Sequence, residues 1–442
     1  MKKQLRLATT LIAPGATSGL WRHPSHQVGL KLSDYVRMAR HAEAGKLDFL
    51  FQPDQYRTAG TTPDEFRHHA QVGMEPVTLL SALAAVTEHI GLAATLSTTY
   101  HEPYHVARMM ASLDHLSGGR ASWNIVHSRG DHEAHNFSMA HRPPPEERSA
   151  QGTEFVDIVK RLWDSWEDEA ILADKKSGVY ADPDKVHVLN HESKWFSVKG
   201  PLNVARPPQG HPVLIEAGQS ERFIERAARH ANIVFTMLNR MDQAQSFYRA
   251  LNNRLTAFGR RPGDLLLMPG LTLCVGHTEA EAHRKKQERE RLARHPMRLD
   301  LLSYWIGLDV QAFGLGLDSS LPDSQAVPER HLYRERKAMA DRLGLVTVRE
   351  LVEAVKENQG HLSITGTPGQ IADTLGQWLA EDAADGFIFI PGLLPDDLDD
   401  LVELVVPELQ RRGIFRTAYE GRQLRAHLGI GRPANGFSGR QS

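Results

Sequence analysis

Apolar and polar residues along this chain switch repeatedly between the spacing of strands and that of helices, most clearly in the segment 91–128. Residues 92–96 form an apolar run, which is typical of a buried strand. From Pro103 onward, apolar side chains recur every three or four positions, as on one face of an amphipathic helix. The glycine pair at 118–119 ends that helix, and 121–126 is strand-like again. The segment therefore predicts a β–α–β unit.

The same alternation continues through the chain and predicts eight strands separated by helices. The predicted strands are 5–13, 47–52, 90–96, 121–126, 212–217, 232–238, 265–275 and 386–390. This alternation indicates an α/β fold, and eight strands indicate a (β/α)8 TIM barrel. The rival fold is a doubly wound open sheet with a second domain. It would require a G-x-G-x-x-G loop after the first strand, and the sequence has none there.

The chain has 442 residues, whereas a bare barrel needs about 250. The surplus falls in insertions at about 129–151, 167–206 and 293–344 and in a C-terminal tail from about 411. These segments are rich in proline, glycine and charge, and they contain few long periodic stretches. We therefore predict one barrel domain over 1–442, in which residues around 145–151 and 293–344 form lids over the barrel mouth.

Composition and charge limit the binding partners and the cellular compartment that we expect for this protein. The net charge of −2 gives no electrostatic reason to expect nucleic acid or an anionic membrane as a partner. Cys274 is the only cysteine, so no internal disulfide can form, as is usual in reducing compartments. No run of 18 uninterrupted apolar residues is present, which argues against a membrane span. We expect a cytoplasmic protein.

Polar side chains lie at or soon after the ends of several predicted strands. They are His23, Asp54, Thr95, Ser97, Thr98 and Asn124. In α/β barrels the carboxyl ends of the strands meet at one mouth, where active sites are built. Each residue alone is more often a capping or solvated residue. Together they predict a candidate site at the mouth.

Two short motifs allow both a chemical and a structural interpretation. HEPYH at 101–105 matches the zinc pattern H-E-x-x-H, but a proline favours the first position of a helix. His101 then precedes the helix, so the two histidines do not share a helix face, and we expect no metal site. GQSE at 218–221 follows the fifth predicted strand. It either holds a phosphate at a helix N-terminus or simply caps the helix, and both alternatives stay open.

Eight further stretches, spread over nearly the whole chain, each match the sequence pattern of one protein family. They are WRHP at 21–24, EPVTLLSALAAVTEHIGLAATLSTTYHEPYHVAR at 75–108, SLDHLSGGRASWNIV at 112–126, RLWDSWEDEA at 161–170, GPLNVARPPQGHPVLIEAGQS at 200–220, GTPGQIAD at 366–373, VVPELQRRGIFR at 405–416 and LRAHLGIGRP at 424–433. In these stretches the chain resembles the bacterial-luciferase-like flavin-dependent monooxygenases. The similarity is to the branch of nitrilotriacetate monooxygenase, dibenzothiophene-sulfone monooxygenase and pristinamycin synthase.

The resemblance implies a (β/α)8 barrel with insertions that acts in a two-component monooxygenase. A separate NAD(P)H:flavin reductase would supply reduced FMN (FMNH2). The protein would use it with O2 to oxygenate a small organic substrate, with cleavage of a C–N or C–S bond. The resemblance also implies a homodimer or homotetramer. The alternative is a family member with an altered or lost FMN phosphate site that acts as a non-catalytic binding or assembly protein.

The resemblance also assigns roles to individual residues. Asp54 and Thr95 would lie along the isoalloxazine ring, and Asn124 would reach its polar edge. Gly218 and Ser220 would help to hold the phosphate. His23 would face the reactive side of the flavin. His23 and Asn124 are therefore the expected catalytic residues.

The chain departs from the family pattern at the positions expected to contact the phosphate. Pro145 and Ser149 stand where the family usually has His and Tyr, and 221–223 is Glu-Arg-Phe where glycine is usual. His127 replaces a usual Thr. Each lost hydrogen bond to a charged group costs about 1.5–3 kcal/mol, although Arg148 and Arg222 offer compensating charge. We predict that FMN binds more weakly, or in a different arrangement, than in typical relatives.

Overall fold

Eight parallel strands close into a barrel in the computed structural model, which describes residues 3–11, 19–26, 30–58, 62–68, 70, 72–128, 131–293, 299–327 and 331–438. The barrel strands are β1 (Arg6–Thr10), β2 (Phe49–Gln52), β3 (Gly91–Ser97), β4 (Ala121–Val126), β5 (Val213–Ala217), β6 (Ile233–Thr236), β7 (Leu266–Val275) and β8 (Gly386–Phe389). Each strand pairs in parallel with the next, and β1 pairs with β8, with Leu7 opposite Phe387. The predicted (β/α)8 barrel is confirmed. The predicted extension of the first strand to residue 13 lies partly outside the described residues.

Helices surround the barrel and fill its insertions. They are α1 (Leu32–Ala44), α2 (Pro63–His68), α3 (Pro76–Ala84), α4 (Pro103–Ser117), α5 (Asp131–Ala134), α6 (Pro145–Trp163), α7 (Glu221–His230), α8 (Met241–Leu255), α9 (Glu279–Ala293), α10 (Leu299–Ile306), α11 (His331–Leu343), α12 (Val348–Gln359), α13 (Pro368–Ala380), α14 (Asp396–Asp400), α15 (Val406–Arg411) and α16 (Leu424–Leu428). A π-helical turn, Leu401–Val405, joins α14 to α15.

Local sequence sets both ends of α4. Pro103 occupies its first turn, where proline needs no amide hydrogen bond, and Glu102 is the extended residue before it. His101 therefore precedes the helix, as predicted. At the other end Gly118 adopts a left-handed conformation with φ of 68°, which glycine reaches without steric cost. The chain can then turn directly into β4.

Side chains along each barrel strand alternate between the barrel interior and the surrounding helices. The inward residues form an apolar cluster that includes Phe49, Phe51, Val213, Ile233 and Met268. The outward residues belong to a larger cluster that contains Leu50, Leu92, Trp123 and the buried faces of the helices. The barrel interior is thus a packed core and not a pore.

The tail from about 411 is a structural part of the barrel. Leu424, Leu428 and Ile430 belong to the cluster that fills the barrel interior. The amide of Leu424 donates to the carbonyl of Gly119, just before β4. Arg416 lies 2.6 Å from the buried carboxylate of Asp48, just before β2. The tail therefore covers the end where the strands begin and leaves the opposite end as the mouth.

The insertions contain more regular structure than their composition suggested. Residues 145–151 belong to α6, because Pro145 opens this helix within the expected insertion 129–151. The insertion 167–206 carries two short hairpins, Ile171–Asp174 with Val179–Ala181 and His191–Glu192 with Ser197–Val198.

The described part of the insertion 293–344 contains two helices. Helices α10 and α11 lie within it and share a separate apolar cluster with α12. A further strand, Leu362–Gly366, pairs with β7 outside the barrel, and the sequence pattern missed it. Within the described ranges, no helix combines the length and the apolarity that crossing a membrane requires.

We expect Leu424→Ala to lower the free energy of unfolding by about 2–5 kcal/mol, because it opens a cavity beneath the barrel core. Urea-induced unfolding followed by circular dichroism measures this loss. Leu343→Ala is the matched control, since Leu343 is 57% exposed and its truncation should change stability by at most about 0.5 kcal/mol. A loss below about 1 kcal/mol for Leu424→Ala would show that the tail does not support the barrel.

Candidate active site at the mouth of the barrel

Thr95 and Asn124 form a buried polar pair near the carboxyl ends of β3 and β4, where they lie opposite each other in register. The Thr95 hydroxyl donates to the carbonyl of Gln52 at 2.8 Å, and the Asn124 amide donates to Thr95 Oγ1 at 2.9 Å. Asn124 Oδ1 is buried and has no partner among the described residues. A buried acceptor left unpaired costs about 1–3 kcal/mol. This atom therefore points to a ligand that donates an N–H or O–H group.

Four of the other buried polar atoms that have no partner in the described part of the chain lie at or just beyond the carboxyl ends of barrel strands. They are Thr10 Oγ1 on β1, Gln52 Oε1 on β2, Thr99 Oγ1 after β3 and Thr236 Oγ1 on β6. Buried polar groups are normally hydrogen-bonded. Together with Asn124 Oδ1, these atoms offer several buried hydrogen-bonding groups to a ligand at the mouth.

An aromatic wall lies in the same part of the barrel. The ring centroids of Phe51 and Phe235 are 5.9 Å apart, and His361 stacks on Phe235 at 5.6 Å. A Cβ on Gly270 would come within 2.1 Å of His361 Nδ1, so glycine is required there. Burial lowers the pKa of His361 to about 4, so the ring is neutral near pH 7.

His361 is a residue that the sequence analysis missed. It directly precedes the strand Leu362–Gly366, which the pattern also missed. A glycine within a strand often marks a site of close approach by another group. Gly270 in β7 was therefore the available signal.

Asp54 follows β2 in a partly buried, acidic environment. Burial is the main cause that raises its pKa to about 6, and Glu75 and Glu133 raise it further. The amide of Gln55 donates to Asp54 at 2.9 Å and opposes the shift. The protonation state of Asp54 therefore changes close to neutral pH.

The loops after β2 and β3 are held together by aromatic contacts. Tyr56 is hydrogen-bonded to His101 Nε2 at 2.7 Å and accepts from the amide of Ser97 at 3.2 Å. Tyr100 stacks on Phe137 with ring centroids 4.6 Å apart. Tyr100 and His101 thus anchor the loop after β3.

The predicted phosphate-binding residues form a second group. Ser220 Oγ accepts from the amide of Phe223 at 3.2 Å, so Ser220 caps α7. A Cβ on Gly218 would meet the Phe223 ring at 2.5 Å. Ser149 lies in the second turn of α6 and not in a loop. The structure therefore shows the helix-capping role of the segment 218–221, which was one of its two possible roles.

The two segments that depart from the family pattern are neighbours. Arg222 of α7 pairs with Glu146 of α6 at 3.0 Å, and both side chains are more than three-quarters exposed. Such an exposed pair contributes at most about 1 kcal/mol. Farther along α6, a Cβ on Gly152 would come within 2.2 Å of His127, whose Nδ1 lies 2.7 Å from Thr98 Oγ1. Helix α6 therefore connects the second group to the loops after β3 and β4.

His23 lies on another side of the mouth, in the segment after β1. Its side chain is 18% exposed, and its Nε2 is 3.8 Å from a carboxylate oxygen of Glu288 on α9. No direct contact joins His23 to Thr95 or Asn124 among the described contacts. The structure thus brings Thr95 and Asn124 into contact, whereas His23, Asp54, Ser149 and Ser220 lie on segments that follow β1, β2, β4 and β5.

Known proteins resemble this chain over nearly its whole length. The model of the family described as luciferase-like monooxygenase matches residues 15–386. The chain belongs to this family. It is 43% identical over 447 aligned residues to nitrilotriacetate monooxygenase component A of Aminobacter aminovorans, with 98% of each chain covered. It is 36% identical to dibenzothiophene-sulfone monooxygenase of Rhodococcus erythropolis strain XP, with 97% of each covered. The expected family and branch are confirmed.

A solved structure of riboflavin lyase, with modified FMN and its substrate riboflavin, has a similar fold. It superposes with a TM-score of 0.84 at 31% sequence identity, and the match covers 98% of this chain and 97% of that one. Flavin therefore binds within a relative of the same architecture.

We expect the stability gained from Asp54→Asn to depend on pH. Because the folded-state pKa is raised from 3.8 to about 6, the folded protein holds this proton more tightly than the unfolded chain. The carboxylate therefore destabilises the fold progressively as the pH rises from about 4 to about 6. The stability difference between Asp54→Asn and the unaltered protein should grow over that range and then level off.

Urea unfolding at pH values from 4 to 8 measures this difference. Asp184→Asn on the exposed surface provides the matched amide substitution. A difference for Asp54→Asn that does not change with pH contradicts the raised pKa.

Proposed function

We propose that this protein is the oxygenase of a two-component flavin monooxygenase. It takes reduced FMN from a separate NAD(P)H:flavin reductase and uses O2 to oxygenate a small organic substrate, with cleavage of a C–N or C–S bond. The observation that carries the proposal is the unpartnered Asn124 Oδ1 beside Thr95, at the mouth of a barrel of this family. In this proposal the chain is one barrel domain that acts in the cytoplasm as a homodimer or homotetramer.

The residues at the mouth fit the ring of a flavin. An isoalloxazine edge carries an N–H donor between carbonyl groups, and Asn124 Oδ1 is a buried acceptor without a donor. Thr95 and Asp54 would lie along the ring, and Phe51 and Phe235 offer apolar surface beneath. When bound, reduced FMN supplies the electrons for O2 activation, so that one oxygen atom enters the substrate and the other leaves as water.

The protein's own contributions are orientation, proton transfer and exclusion of water. Asn124 orients the ring edge, and His23 holds or donates a proton at Nε2. The insertion 293–344 would act as a lid. Tyr304 of α10 supports this role, because its hydroxyl lies 3.8 Å from the sulfur of Met237, just after β6.

The proposal includes an altered arrangement at the phosphate end, where the sequence departs from the family pattern. Ser149, Gly218 and Ser220 remain the proposed contacts there, although Ser220 already caps α7. Arg222 is the cationic side chain in the segment 218–223, and it is already paired with Glu146. The proposal therefore includes weak discrimination between FMN and flavins that lack the phosphate.

We expect Asn124→Ala to weaken FMN binding about 3- to 10-fold, which corresponds to the loss of one hydrogen bond worth about 0.5–1.5 kcal/mol. Quenching of flavin fluorescence measures the affinity. Oxygenation is measured with NADH, a flavin reductase and ¹⁸O2, with nitrilotriacetate and dibenzothiophene sulfone as the first substrates. One ¹⁸O atom should enter the product, and the variant should lose most of this activity.

Asn253→Ala, on the exposed face of α8, is the control and should leave both measurements unchanged. Unchanged FMN affinity in Asn124→Ala would overturn the ring-edge assignment. Absence of binding by both oxidised and reduced FMN would instead favour the non-catalytic binding or assembly protein.

We expect Glu146→Gln to increase the preference for FMN over riboflavin, because Arg222 is released to meet the phosphate. The readout is the ratio of the two dissociation constants by calorimetry, with an expected increase of about 3- to 10-fold. Glu225→Gln, which breaks the half-exposed Glu225–Arg254 pair on α7 and α8, is the control. If the two variants give the same ratio, Arg222 has no role at the phosphate.

A further inference from the structure

Ser25 lies between the ring of His23 and a carboxylate from the other end of the chain. Ser25 Oγ is 2.7 Å from His23 Nδ1 and 2.5 Å from Asp396 Oδ2. His23 and Ser25 come from the segment after β1, and Asp396 is the first residue of α14, after β8. The contact therefore joins the two strands whose pairing closes the barrel.

These distances decide where the serine proton lies. A carboxylate only accepts hydrogen bonds, so the hydroxyl donates to Asp396, and a 2.5 Å oxygen–oxygen distance is typical of a charge-assisted bond. The hydroxyl oxygen is then free to accept, and the partner at 2.7 Å is His23 Nδ1. The nitrogen must carry a proton to donate.

The opposite arrangement, in which His23 Nδ1 is unprotonated and accepts hydrogen bonds, is less favourable. The amide of Ser25 lies 3.2 Å from His23 Nδ1 and would donate to an unprotonated nitrogen. If the hydroxyl also donated to that nitrogen, two oxygen atoms would face each other at 2.5 Å with no proton between them. The short bond to Asp396 therefore outweighs the longer contact from the amide.

Other charged groups around His23 do not compete for Nδ1. Glu288 of α9 faces the other nitrogen, Nε2, at 3.8 Å. Arg289 of the same helix is paired with Asp397 at 2.5 Å. Arg22 donates to backbone carbonyls of Gly19 and Leu292. A further titratable neighbour in the described part of the chain is His26, whose amide donates to the carbonyl of His23.

We propose that Ser25 and Asp396 are positioning residues that hold neutral His23 as its Nδ1–H tautomer. Nε2 is then the nitrogen without a proton in the neutral ring. The role of this nitrogen in oxygenation rests on the proposed function, whereas the tautomer is a property of the protein alone.

The test is ¹⁵N nuclear magnetic resonance of the full-length protein with labelled histidine, since ring nitrogen shifts distinguish the two tautomers. The His23 signals are assigned by their loss in His23→Gln. In Ser25→Ala and Asp396→Asn, the ratio of Nδ1–H to Nε2–H should fall about tenfold or more, as expected for loss of one strong hydrogen bond. Ser25→Thr keeps the hydroxyl and should retain the original tautomer.

Ser112→Ala on the exposed side of α4 is the matched control, and its His23 signals should not move. A dominant Nδ1–H tautomer in Ser25→Ala would overturn the proposal, as would a dominant Nε2–H tautomer in the unaltered protein. Neither result depends on activity.

Oxygenation then tests the proposed function separately. Ser25→Ala should lower kcat about 10- to 100-fold with little change in KM, and have no further effect in the His23→Gln background. A changed tautomer with unchanged kcat would support the positioning role and refute the role of His23 in the reaction.

Discussion

Closure of the sheet by the pairing of β1 with β8 is the constraint on which the remaining structure depends. Eight parallel strands that begin at one end of a barrel all finish at the other, so every loop after a strand faces the same space. The tail fills the beginning of the barrel through Leu424 and the Arg416–Asp48 pair. Closure thereby turns polar groups far apart in the sequence into neighbours around one mouth.

The barrel interior changes character along its length. Apolar side chains such as Phe49 and Ile233 fill it near the tail, whereas Thr95 and Asn124 form a polar layer near the mouth. An apolar pair would pack there without leaving an acceptor unpaired, and burial of such an acceptor costs free energy. A ligand that donates a hydrogen bond to Asn124 Oδ1 would remove this cost. The proposed flavin site therefore depends on Asn124.

Helix α6 connects the two ends of the proposed flavin site. Gly152 lets the helix approach His127 and Thr98 closely, and Glu146 in its first turn reaches Arg222 on α7. A change at the start of α6 therefore alters the phosphate end, whereas a change at Gly152 alters the support of the ring end. His23 does not belong to this arrangement. It contacts Ser25 in the segment after β1, and Ser25 in turn binds Asp396 in the segment after β8.

The sequence by itself determined the eight barrel strands, the ends of α4 and the polar residues at the strand ends. These features follow from apolar periodicity and from proline and glycine geometry, which act over a few residues. Tertiary structure decided the contacts between Ser25 and Asp396, 371 positions apart, and between Arg222 and Glu146, 76 positions apart. It also placed His361 against Gly270 and the tail beneath the barrel. Such contacts depend on how the closed barrel brings distant segments together. A pattern that extends over a few residues holds no information about contacts between residues far apart in the sequence.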